Sequence, residues 1–310
     1  MEIENWLMTT FIFSLCCLFL NVTGINNDQD LQGKTFHISD GDVSMFDGRE
    51  IKNGTFVISE GNYLLRVKKE KGACLIVGDN TELVIDGTLQ LAPNGFKSYD
   101  MIRVVGSNVK IHGKGSIIGD KSKHSGREGE WGMGIRLHGS SNVTISGLSI
   151  ADCWGDCIYI GGNSRKTQIS NCLLRGSRRQ GISITKANGV IVSNCKIANI
   201  SGTNPQYAID IEPNKRCTVD NVLIKNVTVT GCEGGFRAVI GKKGFGNARI
   251  GKVEIRNCRV MAKSRHTIHF AGCEQGVVED CFIETHKGEK PILSRKVGNL
   301  SEKNNQVIYK

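Results

Sequence analysis

Three carboxylates and a set of guanidinium groups hold most of the chemistry available to this chain. Asp156 lies in the run Trp154-Gly155-Asp156-Cys157-Ile158-Tyr159-Ile160, and Asp210 and Glu212 lie in Ala208-Ile209-Asp210-Ile211-Glu212. Between them stands Arg178-Arg179-Gln180-Gly181. Two carboxyl groups about 5 to 9.5 Å apart can split an acetal, one giving a proton to the leaving oxygen and the other acting as base or nucleophile. Arginines beside a proton-transferring group suit a different reaction. They neutralise a sugar carboxylate while the proton at its neighbouring carbon is removed, as in β-elimination or epimerisation. Arg136, Arg178 or Arg179 would then neutralise, and Tyr159, Tyr207 or His124 would shuttle protons. For that reaction the acidic trio could instead hold Ca²⁺, whereas hydrolysis requires no cofactor and no metal. The residues leave both chemistries open.

Residues so far apart in sequence are brought into neighbouring positions by the chain's periodicity. Met101-Ile102-Arg103-Val104 reappears as Gly134-Ile135-Arg136-Leu137, Cys157-Ile158-Tyr159-Ile160, Gly181-Ile182-Ser183-Ile184, Ala208-Ile209-Asp210-Ile211, Gly235-Phe236-Arg237-Ala238 and Thr267-Ile268-His269-Phe270. Successive apolar positions are 33, 23, 24, 27, 27 and 32 residues apart, the spacing of a repeat array. A second figure runs in phase, as Val143 to Ile150, Thr167 to Leu174, Val190 to Ile197, Val222 to Val229, Val253 to Val260 and Val277 to Ile283. Both alternate apolar and polar residues with period two, and no stretch carries a helical apolar stripe. A repeat of this length cannot bury its own apolar face, so the coils must stack into a single-domain, all-β solenoid of parallel strands.

Stacking assigns places to the side chains. If Ile135, Ile158, Ile182, Ile209, Phe236 and Ile268 point inward, then Arg136, Tyr159, Ser183, Asp210, Arg237 and His269 line one outer face. With coils about 4.8 Å apart, the predicted patch gathers Asp156, Arg179, Gln180, Asp210 and Glu212 as catalytic candidates. Arg136, Trp154, Tyr159, Arg178, Tyr207 and Arg237 are the substrate-binding candidates beside them. The repeat breaks at Asp120 to Trp131, a polar loop that adds His124, Glu130 and Trp131 as a roof. Cys172, Cys195, Cys258 and Cys281, with Val227 substituting once, occupy equivalent places after Asn171, Asn194, Asn257, Asp280 and Asn226. A Val in the series marks a packing column rather than a metal site.

The ends and the composition bound the setting. Residues 1–24 read as a secretory signal with an apolar run over 7–20, an uncleaved membrane anchor being the runner-up. Residues 25–290 form the solenoid, with 25–100 as its lead-in, and 291–310 form a polar tail that caps or frays. Removing 1–24 takes away Glu2 and Glu4 and no Lys or Arg, leaving 40 basic against 28 acidic residues, a net of +12. That balance calls for an acidic partner. With aromatic residues at only 6% and no nucleic-acid-binding motif, an acidic polysaccharide is expected and nucleic acid is not. The chain is expected to be an exported monomer with no stable membrane insertion, and few of its cysteines to be paired. The six Asn-x-Ser/Thr sequences, at Asn21, Asn53, Asn142, Asn199, Asn226 and Asn299, read as turn chemistry rather than glycan sites, unless the source is eukaryotic.

Gly113-Lys-Gly-Ser-Ile-Ile-Gly119, then Asn142-Val-Thr-Ile-Ser-Gly-Leu-Ser-Ile150 and Gly155-Asp156-Cys157-Ile158, resemble the right-handed parallel β-helix proteins of the pectin lyase-like superfamily. Within it the pattern is most similar to polygalacturonase-type glycoside hydrolases, over most of residues 40–285. Those hydrolases carry Asn-Thr-Asp, Asp-Asp and Gly-His-Gly on successive coils. Here the second falls on Gly155-Asp156 with one Asp missing. The third falls on Arg179-Gln180-Gly181, where Gln replaces His, and the first falls near Trp131-Gly132-Met133, where no carboxylate stands. The resemblance implies a secreted polysaccharide-active enzyme, with hydrolysis, lyase or epimerase chemistry on this face. A non-catalytic carbohydrate-binding or adhesive solenoid, with Trp131, Trp154 and Tyr159 as sugar platforms, is the alternative of a different class.

Overall fold

The computed structural model describes residues 33–39, 46–241, 246–263 and 267–310. The export segment expected at 1–24 lies outside them. Among the described residues every coil repeats one path, one strand in each of three sheets. In one coil the strands are Trp131–His138, Ser141–Ser146 and Ser149–Ala151, and in the next they are Ile158–Gly161, Ser164–Ser170 and Leu173–Arg175. Neighbouring coils pair in parallel, giving sheets of eleven, ten and ten strands. A short 3-10 turn, Lys121–Lys123, lies in the loop over 120–131.

The register is the one the repeats require. Ile135 pairs with Ile158, Ile158 with Ile182, Ile182 with Ile209, Ile209 with Phe236 and Phe236 with Ile268. All six are 2% exposed or less, and they form one of the inner columns that fill the solenoid. At roughly 1.5 to 3 kcal/mol for each such side chain removed from water, these columns hold the coils together. Because the side-chain period is two, the same register fixes the outer row Arg103, Arg136, Tyr159, Ser183, Asp210, Arg237, His269. The site is therefore built on the ten-stranded sheet that begins with Arg49–Ile51 and ends with Ile292–Arg295.

The corners explain the asparagines and the cysteines. Asn171, Asn194, Asn226, Asn257 and Asp280 all adopt left-handed backbone, with φ between 50 and 55°, a conformation these two residue types tolerate best among those with side chains. Asn226 Nδ2 donates to Asn194 Oδ1 at 3.0 Å and Asn257 Nδ2 to Asn226 Oδ1 at 2.8 Å. A second ladder joins Asn142, Asn108, Asn80 and Asn53. Asn53, Asn142 and Asn226 are thus engaged in coil-to-coil bonds. Just after the first ladder, Cys172, Cys195, Val227, Cys258 and Cys281 form a buried column, and the thiols of Cys195 and Cys258 donate to backbone carbonyls two residues back. All ten described cysteines are reduced.

The stretch after 290 is not a tail hanging off the fold. Ile292–Arg295, Asn299–Lys303 and Gln306–Tyr309 add a strand to each sheet, so the solenoid runs to the last residues.

Candidate functional site

Asp156 is set in place by its backbone neighbours. The turn before Ile158 is held on both sides, Gly155 N donating to Gly132 O at 2.7 Å, Arg179 N to Gly155 O at 3.1 Å and Cys157 N to Gln180 O at 3.1 Å. The Asp156 side chain is wholly buried, and neither carboxylate oxygen has a hydrogen-bond partner of good geometry. Burial pushes its pKa up to about 6. The Arg179 guanidinium, the Ser183 hydroxyl and Arg136 oppose that rise without cancelling it. Arg179 Nη1 stands 3.6 Å from Asp156 Oδ2, while its Nε lies 3.2 Å from Glu130 Oε2 without hydrogen-bonding alignment. One guanidinium is therefore shared between a buried carboxylate and a partly exposed one.

Two coils further on, Asp210 is 3% exposed, and burial lifts its pKa to about 6 as well. Arg237 Nη1 donates to Asp210 Oδ1 at 2.8 Å and Nη2 to Glu212 Oε1 at 3.2 Å, so one guanidinium bridges both acids. Gln180 is buried and carries out two structural tasks. Its Nε2 donates to Asp210 Oδ2 at 3.1 Å, and its Oε1 accepts the Tyr207 amide at 2.7 Å. Gln180 is thus a brace for Asp210 rather than a group facing solvent. Asp156 pairs with Arg179 and the other two acids with Arg237, while Arg179 also lies close enough to feel the charges of Asp210 and Glu212. Among the described residues no three His, Cys, Asp or Glu side chains are grouped to hold a metal ion.

The loop over 120–131 is folded down and pinned. Lys121 Nζ donates to Gly176 O and Ser201 O, both at 2.8 Å, reaching across two further coils. Asp120 accepts from the Tyr99 hydroxyl and pairs with His124 Nδ1 at 2.8 Å. The His124 ring stacks on Trp154 at 3.9 Å, and Arg178 covers Trp154 at 3.7 Å while donating to Gly129 O at 2.7 Å. Gly132 permits this packing, because a Cβ there would meet the Tyr99 ring at 2.5 Å and Trp154 Cβ at 2.8 Å. Two expectations are corrected. Trp154, 8% exposed, is an anchor and not an open sugar platform, and the enclosed His124 side chain is a loop strut rather than a proton shuttle. The physical reason is that a large ring next to a turn finds a better partner in the loop above it than in water.

The open part of the face lies toward the amino-terminal coils. A groove of about 800 Å³ is bordered by Lys71, Lys97, Arg103, Trp131, Arg136 and Tyr159, together with Glu70, Ser98 and His138. Trp131 is 47% exposed. Arg136 lies over the Tyr159 ring at 4.7 Å, and the Tyr159 hydroxyl bonds to Thr185 Oγ1 at 2.8 Å. Tyr207 is nearly buried, with Arg237 at 5.9 Å from its ring. The structure thus brings Asp156, Arg179 and Glu130 together, and Asp210, Glu212, Arg237 and Gln180 together. It places Arg136, Tyr159 and Trp131 in the groove. Sequence reading assigned no role to Asp100, Arg103 and Asp120, although Arg103 stands inside a repeat already in the alignment and Asp100 directly precedes it.

The family model for a right-handed β-helix region matches residues 57–250 and 133–307. The chain belongs to the right-handed β-helix family. This β-helix is 32% identical over 187 residues to the SPbeta prophage-derived uncharacterized protein YorA of Bacillus subtilis (strain 168), covering 53% of the chain and 32% of YorA. It is 33% identical over 128 residues to a pectate lyase of Lilium longiflorum, covering 38% of the chain and 28% of the lyase. The chain spans about a third of the length of these relatives. Its fold matches an exopolygalacturonase of Thermotoga maritima with a TM-score of 0.59 at 14% identity, over 90% of the β-helix and 82% of the other chain.

Proposed function

We propose that the chain is a polysaccharide-active enzyme that hydrolyses an acidic, uronate-containing glycan, with Asp156 as general acid and Asp210, braced by Gln180 and Arg237, as the second carboxylate. The observation that carries the reading is the Asp156 carboxyl, buried, with no hydrogen bond of good geometry and lifted by that burial to about 6. A carboxylic acid that keeps its proton toward neutral pH is what protonation of a glycosidic oxygen needs. Arg179 gives the site charge for a uronate, and its second partner, Glu130, offers it a position off Asp156 when substrate enters. The relatives support a polysaccharide as partner, one being a pectate lyase and the structural neighbour an exopolygalacturonase. An exported, monomeric protein suits such a polymer.

Elimination is the second reading, favoured by Arg179 beside the buried acid and by the likeness to the lily pectate lyase. Incubation with a panel of acidic and neutral glycans separates the two. New reducing ends without an unsaturated uronate chromophore support hydrolysis, and the chromophore supports elimination. Turnover on none of the panel, with binding retained, favours a carbohydrate-binding solenoid instead.

A further inference from the structure

The basic groove is displaced from Asp156 along the solenoid axis, toward coils that the sequence treats only as a lead-in. Its floor is organised by a residue with no part in the reaction proposed above. Asp100 has no exposed surface, yet its Oδ1 accepts Arg136 Nε at 2.6 Å and its Oδ2 accepts Arg103 Nε at 2.6 Å. Arg103 Nη2 is fixed further by donating to Lys71 O at 2.9 Å, and Arg136 by its place over Tyr159. A buried carboxylate that spends both oxygens on Nε atoms of neighbouring coils holds two planar guanidinium groups in fixed orientation at the groove. Their side chains remain 26% and 18% exposed.

The charge around them is in excess. Lys71, Lys97, Arg103 and Arg136 border the groove, against the buried Asp100 between the two arginines and one bordering carboxylate, Glu70, which accepts the Lys97 amide at 3.0 Å. Glu128 pairs with Lys97 at the rim at 2.5 Å, which leaves Lys71 and the outward ends of the arginines facing the space. Trp131, nearly half exposed, supplies an apolar plate of the kind a sugar ring stacks on.

We infer that this groove is a subsite for a carboxylate-bearing sugar, read by Arg103 and Arg136 with Asp100 as their positioning residue. The substrate then lies along the axis from Asp156 toward the amino-terminal coils. The class of ligand rests on the reading of the protein as acting on an acidic glycan, while the position and the residues stand on the groove itself.

The test is equilibrium binding by calorimetry in the Asp156→Asn background, with oligomers of galacturonate, glucuronate and mannuronate/guluronate, each against its carboxyl-reduced counterpart. At least one oligouronide should bind at least about tenfold more tightly than its reduced form, the scale of one lost charge-assisted pair. Arg103→Ala should abolish that preference, Arg103→Lys should restore part of it, and Asp100→Asn should weaken it while the reduced sugar binds as before. No binding of any oligouronide, equal binding of charged and reduced forms, or a folded Arg103→Ala protein with the full preference would each overturn the inference. Turnover by the chain with native Asp156 is measured on the same sugars. Turnover without the charge preference fails this subsite alone, and the preference without turnover fails the hydrolase reading alone.

Discussion

The Arg179 guanidinium stands 3.6 Å from the Asp156 carboxylate, close enough to feel its charge yet not seated on it. Asp156 is left with a pKa near 6 where an ordinary aspartate sits near 3.8, so the folded protein takes up a proton that the unfolded chain has lost. The sign follows. Below about pH 4 both states are protonated and there is no penalty, and as pH rises toward 6 the folded state loses up to about 3 kcal/mol through this one group. Asp156→Asn should therefore raise thermal stability above pH 6 and leave it little changed at pH 4, while reducing turnover by several orders of magnitude. Unfolding scans across that range, with rates on the cleaved glycan, check both halves.

Glu130 competes for the same guanidinium, with its Oε2 at 3.2 Å from Arg179 Nε. In Glu130→Gln, Arg179 should turn more fully to Asp156 and lower its pKa. A general acid works only while protonated, so the alkaline limb of the kcat profile should move to lower pH, by about half a unit or more. A profile that does not move would separate Glu130 from the tuning of Asp156.

The His124 ring fills the space between the loop and Trp154. His124→Ala should cost about 2 to 4 kcal/mol by leaving a cavity and releasing the loop that places Glu130 and Trp131. Denaturant unfolding gives the energy. A red-shifted tryptophan emission and a raised KM would report Trp154 exposed and the groove loosened.

Cys195 sits 1% exposed in the column of Cys172, Val227, Cys258 and Cys281. Replacement by Ala should cost on the order of 1 to 2 kcal/mol and leave activity per folded molecule unchanged. Thiol titration of the denatured, unreduced protein should find these sulfurs free, and oxidised pairs would contradict the packing role.

Residues carried by the repeat were legible before the structure, and residues whose role depends on a side chain's course were not. The outer row Arg136, Tyr159, Ser183, Asp210, Arg237 follows from apolar alternation alone, because a strand with one buried face has only one register that keeps Ile135, Ile158, Ile182 and Ile209 inside. The same holds for the asparagine corners and the thiol column, where each coil repeats a local need of the backbone. Asp100 and Arg103 were within reach of that alignment, and what hid them was the absence of anything in their own coil to suggest that two arginines share one acid.

What only the tertiary structure decided is which way the polar groups turn and what lies over them. Asp156 and Asp210 belong to one face by sequence, but burial under Arg179 in one case and bracing by Gln180 and Arg237 in the other come from side chains of other coils. Trp154 and His124 read equally well as open platform and proton shuttle until the loop is seen to close one ring on the other. Periodicity constrains position along the backbone, and it carries no information about the path of an irregular loop or the rotamers that pack against it. The sequence by itself therefore determined the solenoid, its register and the face on which the charged groups gather. The tertiary structure decided which of those groups are buried, which are paired and where the groove stays open.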